Sequence, residues 1–460
     1  MIDVLLKRFR RLHMVGIAGS GMSGIAEILL RTGFQVTGSD LRANDDTRRL
    51  ARLGARIFKG HKASHVGDAE AVIYSSAVSE DHVELSAARE RKIPIIRRAE
   101  MLAELMRMKA GIAISGTHGK TTTTSLVGEI LIQGGMDPTV IVGGKLRRMG
   151  TGAVSGQGDF IVAEADEFDR SFLRLTPTIV VITNIDSDHI ECYGCYEELE
   201  NAFVQFANSI PFYGRALVCA DELSVMNLLP RLQRMIITYG FSPQADLRAI
   251  DPSFDRGTSS FTVESADGRI GDVRLPLPGS HNVLNALAAI AVARELSIDF
   301  SDIRQALESF SGVQRRFEII GEIGDIVVAD DFAHHPVEIS ATLAAARQGW
   351  KKPLLAVFQP HLFSRTLALA EEFGRALLGA ETALVLPIYP AREKPIEGVS
   401  SRMIVDAARN MGHKRAYYLE DRSTVADKVR ELVHAGDFVI TLGAGDVYKL
   451  APMILEGLKG

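Results

Sequence analysis

Nine residues, Gly116 to Thr124 (GTHGKTTTT), constrain this chain more than any other stretch. They follow the short apolar run from Gly111 to Ile114 and open a helix-compatible segment, so a strand delivers a glycine-rich turn to a helix N-terminus. In that geometry the backbone N–H groups of Gly116, Thr117, His118 and Gly119 face phosphate oxygens. Lys120 then neutralises the β/γ charge, and the hydroxyls of Thr121 and Thr122 stand at the helix start, Thr121 within reach of Mg²⁺. Four consecutive threonines suit a first turn: β-branching lowers helix propensity, but hydroxyls satisfy the orphan donors of an N-terminus. The full phosphate-loop signature has a glycine where Ile114 stands. An ordinary glycine-rich turn is the alternative reading.

A second turn of this kind lies near the start. An apolar strand, Leu12 to Ile17, runs into Gly19-Ser20-Gly21-Met22-Ser23-Gly24, and Ile25 to Leu30 continue with helical spacing. The next strand, Phe34 to Thr37, ends at Gly38-Ser39-Asp40, which puts a carboxylate where a dinucleotide-binding domain reads a ribose hydroxyl. NAD is one occupant of such a turn. The pyrophosphate of a UDP-sugar, held by Gly19, Ser20, Gly21, Met22 and Ser23, needs the same backbone. Asp40 is equally a solvated strand end. Further strands at Arg56 to Phe58 and Ala71 to Tyr74, the latter stopping at Ser75-Ser76-Ala77, make the region Rossmann-like to about Met108.

Beyond the phosphate loop, the strand from Phe160 to Ala163 runs into Glu164-Ala165-Asp166-Glu167. The strand from Thr178 to Thr183 runs into Asn184-Ile185-Asp186-Ser187-Asp188-His189. Ligands of open parallel sheets gather at such carboxyl ends, which makes Glu164 and His189 candidates for Mg²⁺ beside Lys120. A solvated acidic loop and a structural histidine are the alternatives. After a stretch of strands and turns from 240 to 278, Gly279 to Asn285 begin a long Ala/Leu-rich helix. Its Asn282 and Asn285 share a face and suit either an adenine edge or a helix cap. Strands at Ile326 to Ala329, Leu354 to Phe358, Ala383 to Leu386 and Asp437 to Thr441 form a last region whose strand ends carry Asp, His and Arg. The expected architecture is α/β in three domains: a Rossmann-like domain over 1–108, a central phosphate-loop ATPase domain with a parallel sheet over 109–312, and a second Rossmann-like domain over 313–460.

Length agrees: 460 residues at roughly 150 per domain make three. A net charge of −5 offers no basic surface, so no nucleic-acid partner is expected. No signal segment or long apolar run is visible, so the expected protein is cytoplasmic and does not insert into a membrane. Three cysteines, Cys192, Cys195 and Cys219, exclude a disulfide framework. The Cys192-x-x-Cys195 pair lacks the second pair that a zinc site needs.

Taken in order, GSGMSG, GTHGKTTTT, AEADE, TNIDSDH, GSHNVLN, GVQRRFE, DDFAHHP and FQPHLFSRT resemble the Mur ligases of peptidoglycan synthesis across nearly the whole chain. The resemblance implies ATP-dependent joining of L-alanine to the lactyl carboxylate of UDP-N-acetylmuramate through an acyl phosphate, with Mg²⁺. A sister ligase that adds a preformed tripeptide during wall recycling is the nearest alternative. An NAD-dependent oxidoreductase and a non-catalytic sugar-nucleotide sensor are remote ones. By the same resemblance the first domain, with Ser76, holds the UDP-sugar. Lys120 stabilises the transferring phosphoryl group, and Thr121, Glu164 and His189 serve the metal. Asn282 and Asn285 meet adenine, and Arg316 with Asp331 meets the phosphate or ribose side of ATP. His335, His361 and Arg365 face the amino acid, and a monomer or weak homodimer is expected. Some relatives support a second metal with a carbamylated lysine, but no lysine occurs here between Lys145 and Lys351. Phe332 and Leu362 stand where some alanine-adding relatives carry Tyr and Arg.

Overall fold

The computed structural model describes residues 9–459 apart from Ser76, Met149, His189 and Arg392. The first sheet comprises β1 (Arg11–Val15), β2 (Gln35–Asp40), β3 (Arg56–Lys59), β4 (Ala71–Tyr74) and β5 (Ile95–Arg97). Its order is β3-β2-β1-β4-β5, and every neighbouring pair is parallel. β1 ends at Val15, short of the expected Ile17. Gly16 turns the chain at φ +77°, and the N–H groups of Gly16 and Ile17 both donate to the Ser39 carbonyl. β2 in turn runs on to Asp40 rather than ending at Thr37.

The central sheet has β6 (Ala110–Ser115), β7 (Thr139–Leu146), β8 (Thr151–Val154), β9 (Phe160–Glu164), β10 (Ile179–Ile182), β11 (Arg215–Cys219), β12 (Met235–Gly240), β13 (Leu247–Asp255), β14 (Thr258–Ser265) and β15 (Gly268–Leu275). The order is β15-β14-β13-β12-β11-β10-β6-β9-β7-β8. β6 and β10 are buried along nearly their full length, as strands covered by helices on both faces must be. β14 instead alternates, with Ser259, Phe261 and Val263 buried and their neighbours less so, the period of a strand covered on one face. Because β6 lies between β9 and β10, the loops after these three strands emerge side by side. That is where an open α/β sheet holds its ligands.

The last sheet is β16 (Glu318–Ile323), β17 (Ile326–Asp331), β18 (Leu354–Phe358), β19 (Thr382–Val385), β20 (Ala416–Tyr418) and β21 (Phe438–Leu442), in the order β16-β17-β21-β18-β19-β20. Only β16 runs antiparallel, and β21 inserts between β17 and β18. One face buries Leu343, Phe358, Phe373 and Phe438, and the other buries Val328, Val357, Val439 and Ile454.

Two compact units result. One contains Met1–Ile250, Thr262–Val273 and Leu284–Ser311; the other contains Asp251–Phe261, Arg274–Val283 and Gly312–Gly460. Within the first unit a single apolar core joins Ile25 and Leu29 of the helix Ser20–Arg31 to Met106, Ile161, Phe172 and Phe203. Among the described residues no helix is long and apolar enough to cross a membrane, and all three cysteines are free.

Candidate active site

β6 delivers Gly116 to Gly119 to the helix Lys120–Gln133, the strand–turn–helix that the sequence implies. Two glycines are required there. Gly116 has φ +122°, and a Cβ on it would lie 2.2 Å from Thr183 Oγ1; Gly119 caps the helix at φ +84°, with the Asn285 Oδ1 2.5 Å from where its Cβ would be. The segment after β10 holds the turn. Thr117 N–H donates to the Asn184 carbonyl (3.1 Å) and His118 N–H to Asn184 Oδ1 (2.8 Å). In return, Thr183 Oγ1 and Asn184 Nδ2 donate to the His118 carbonyl at 2.6 and 3.1 Å, and Asp186 N–H donates to Thr117 Oγ1 at 2.9 Å. Asn184 thus fixes the loop, and in the sequence only its place at a strand end marks it.

Lys120 Nζ donates to the carbonyls of Gly116 (2.6 Å) and Thr117 (3.1 Å) and to both oxygens of Glu167 (3.1 and 2.8 Å). Burial acts to lower the pKa of this ammonium, but Glu167, Asp166 and Glu164 together more than offset it, so its pKa is raised and it stays charged. Glu167, almost fully buried, is marked in the sequence only by its place at the end of the acidic run after β9. Glu164 accepts from Gly143 N–H at 2.7 Å. Thr121 and Thr122 are buried at the helix start. Asn285 accepts from Thr123 Oγ1 at 3.1 Å, so its amide carbonyl also serves the loop. His189 and Ser76 lie outside the described residues.

At the first turn, helix Ser20–Arg31 begins after Gly19 with no side-chain cap and no acidic residue in its first turn. Asp40 does not simply face solvent. Its carboxylate accepts from Ala18 N–H (3.0 Å) and Arg42 N–H (3.2 Å), stapling the end of β2 to the glycine turn. Gly24 packs its helix on β8: a Cβ there would lie 3.4 Å from Ala153 Cβ. Met22 and Ser23 are buried, and Ser23 Oγ donates to the Ser20 carbonyl at 3.0 Å.

In the second unit, Asn282 Nδ2 donates to the Pro278 carbonyl at 2.7 Å. Asp331, at the end of β17, accepts from Phe317 N–H (2.6 Å) and Ala333 N–H (2.7 Å). Burial pushes its pKa up to about 6, against the pull of Arg316. Arg316 lies over the Phe332 ring, 5.1 Å from its centroid. His335 caps the helix Pro336–Trp350. His361 stacks on Tyr389 at 5.8 Å and meets His334 edge-on at 6.0 Å. Burial, with His334 and Arg365 nearby, pushes its pKa down to about 4, so it is a neutral imidazole near neutrality.

Three sheets flanked by helices, one bearing a phosphate loop whose lysine sits in a carboxylate cluster, are the architecture on which three family matches place an ATP-dependent ligase that forms C–N bonds. Residues 11–110 match the Mur ligase family catalytic domain, 114–293 the Mur ligase middle domain, and 315–445 the Mur ligase glutamate ligase domain. The chain belongs to the Mur ligase family. It is 50% identical to the UDP-N-acetylmuramate–L-alanine ligase of Geotalea uraniireducens over 98% of this chain and 99% of that one. It is 49% identical to the enzyme of the same name from Geobacter sulfurreducens, over 98% of both. The crystal structure of UDP-N-acetylmuramate-alanine ligase from Thermotoga maritima superposes with a TM-score of 0.81 at 29% identity, covering 98% of this chain and 99% of that one.

Proposed function

We propose that the chain joins L-alanine to UDP-N-acetylmuramate at the expense of ATP, in peptidoglycan precursor synthesis. The observation that carries the reading is the charged Lys120 at the phosphate loop, in a chain alike over its whole length to enzymes of that name. A lactyl carboxylate oxygen attacks the γ-phosphorus as the bond to ADP breaks. The alanine nitrogen then attacks the acyl carbon, the C–O bond to phosphate breaks, and the ammonium-derived protons leave to solvent or base. Lys120 stabilises charge on the transferring phosphoryl group.

The Thr121 hydroxyl and the Glu164 carboxylate are oxygen donors suited to Mg²⁺, with His189 completing the set. When bound, the ion neutralises phosphate charge. Glu164 is already oriented by Gly143 N–H, so its carboxylate keeps a fixed direction. Gly19 to Ser23, with Asp40 and Ser76, take the UDP-sugar. Asn282, Asn285, Arg316 and Asp331 take the nucleotide. Arg365 holds the amino acid's carboxylate, and the neutral His361 and the helix-capping His335 shape the acceptor pocket. Peptide ligation to the same sugar is the second reading; Phe332 and Leu362, where some alanine-adding relatives carry Tyr and Arg, remove a potential carboxylate contact and weaken the case for alanine.

The deciding experiment is product analysis with ATP, Mg²⁺, UDP-N-acetylmuramate and either L-alanine or the tripeptide. Amide product with alanine is expected; turnover with tripeptide alone would replace the reading by its sister.

A further inference from the structure

Arg98 opens the helix Arg98–Met106, and its guanidinium lies against the first glycine turn. Its Nη1 is 2.5 Å, and its Cζ 3.4 Å, from where a Cβ on Gly21 would be. The charge therefore sits on the backbone at the start of the uncapped helix Ser20–Arg31. Among the described residues the Arg98 side chain makes no hydrogen bond, and its one charged partner is Asp166, at 4.0 Å. Both side chains are about a third or more exposed (32% and 43%), so this contact is a weak tether. The two neighbouring guanidiniums are committed elsewhere: Arg97 donates to Tyr74 Oη at 3.1 Å, and Arg174 pairs with Glu100. All three line one small cleft, with Phe168, Asp169 and Ser171.

We propose that Arg98 is a positioning residue for the diphosphate of the sugar nucleotide, and that it exchanges Asp166 for that diphosphate on binding. The inference rests on the UDP-sugar reading of the Gly19–Gly24 turn. A guanidinium offers paired donors matched to adjacent phosphate oxygens, and the helix start supplies N–H groups on the other side of the same anion. Asp166 competes for Arg98, and Arg98→Gln and Asp166→Asn therefore act in opposite directions.

Calorimetric titration of the full chain with UDP-N-acetylmuramate, with UDP, and with a non-hydrolysable ATP analogue tests this. Arg98→Gln is expected to weaken both uridine ligands at least tenfold and leave the ATP analogue unchanged; Arg98→Lys recovers part of the loss, and Asp166→Asn tightens the uridine ligands a few-fold. A purely structural ion pair would make Arg98→Gln and Asp166→Asn weaken binding alike, and that result overturns the proposal. So does an unchanged Kd in Arg98→Gln. Should Arg98→Gln misfold, Arg98→Lys and Asp166→Asn still give the opposed signs. If the unmodified chain binds neither uridine ligand, the sugar-nucleotide reading itself is lost, a failure distinct from unchanged affinity in the variants.

Discussion

Single residues show how much chemistry is concentrated in a few buried charges. Glu84 is fully buried and gathers Ser39 Oγ (2.6 Å), Lys62 N–H (3.0 Å), His13 Nε2 (3.1 Å) and His65 Nδ1 (3.3 Å). Burial alone would raise its pKa, but the bonds from His13 and Ser39 and the Lys62 N–H outweigh that and bring it down from 4.5 to about 2. A depressed carboxylate contributes stability that is present above pH 4.5 and is lost as pH falls toward 2. The difference of about 2.5 pH units corresponds to about 3 kcal/mol. Glu84→Gln is therefore expected to lose about that much unfolding free energy at pH 7 and to converge on the parent near pH 2. Urea titrations at the two pH values check it, and a constant gap would show that the carboxylate's charge is irrelevant. None of this was legible locally, because Glu84 stands 71 residues from His13 and 45 from Ser39.

Among elements, the turn between β6 and the helix Lys120–Gln133 is held by backbone geometry more than by side chains. Gly116→Ala places a methyl group 2.2 Å from Thr183 Oγ1 at a φ of +122°, where an L side chain is strained by on the order of 1–3 kcal/mol before any clash. The loop must shift, and with it the N–H groups that face phosphate. The variant should bind Mg²⁺-ATP more than about tenfold more weakly, the equivalent of about 1.4 kcal/mol. Calorimetry that returned the parent Kd would mean that the turn does not hold the triphosphate. The sequence announced this element because strand, turn and helix are contiguous. It did not announce Asn184, which closes the loop from 66 residues away, or Glu167, which meets Lys120 from 47 residues away.

For the whole molecule, the described contacts put the first sheet and the central strands β6 to β12 in one unit. Glu27, almost wholly buried on the helix Ser20–Arg31, accepts from Thr151 Oγ1 of β8 at 2.9 Å and pairs with Arg49 at 3.0 Å; Lys145 of β7 reaches Asp46 at 3.0 Å. Removing one member of a buried ionic cluster leaves the others unpaired and typically costs about 3–5 kcal/mol. Glu27→Leu should therefore speed hydrogen exchange in β7, β8 and the helix Ser20–Arg31 together, while the sheet β16–β21 keeps its rate. Unchanged protection in β7 and β8 would show that the central sheet alone holds the hairpin.

The chain by itself determined the three α/β regions, both glycine turns, Lys120 and the polar strand ends. Each of these is written in contiguous residues through periodicity and turn chemistry. Only the tertiary structure decided that β1 stops at Val15, before the turn at Gly16, that Asp40 staples the first turn, that Glu167 answers Lys120, and that Arg98 lies on Gly21. Those pairings join residues far apart in sequence, and distance along the chain carries no information about which strand ends the sheet order brings side by side.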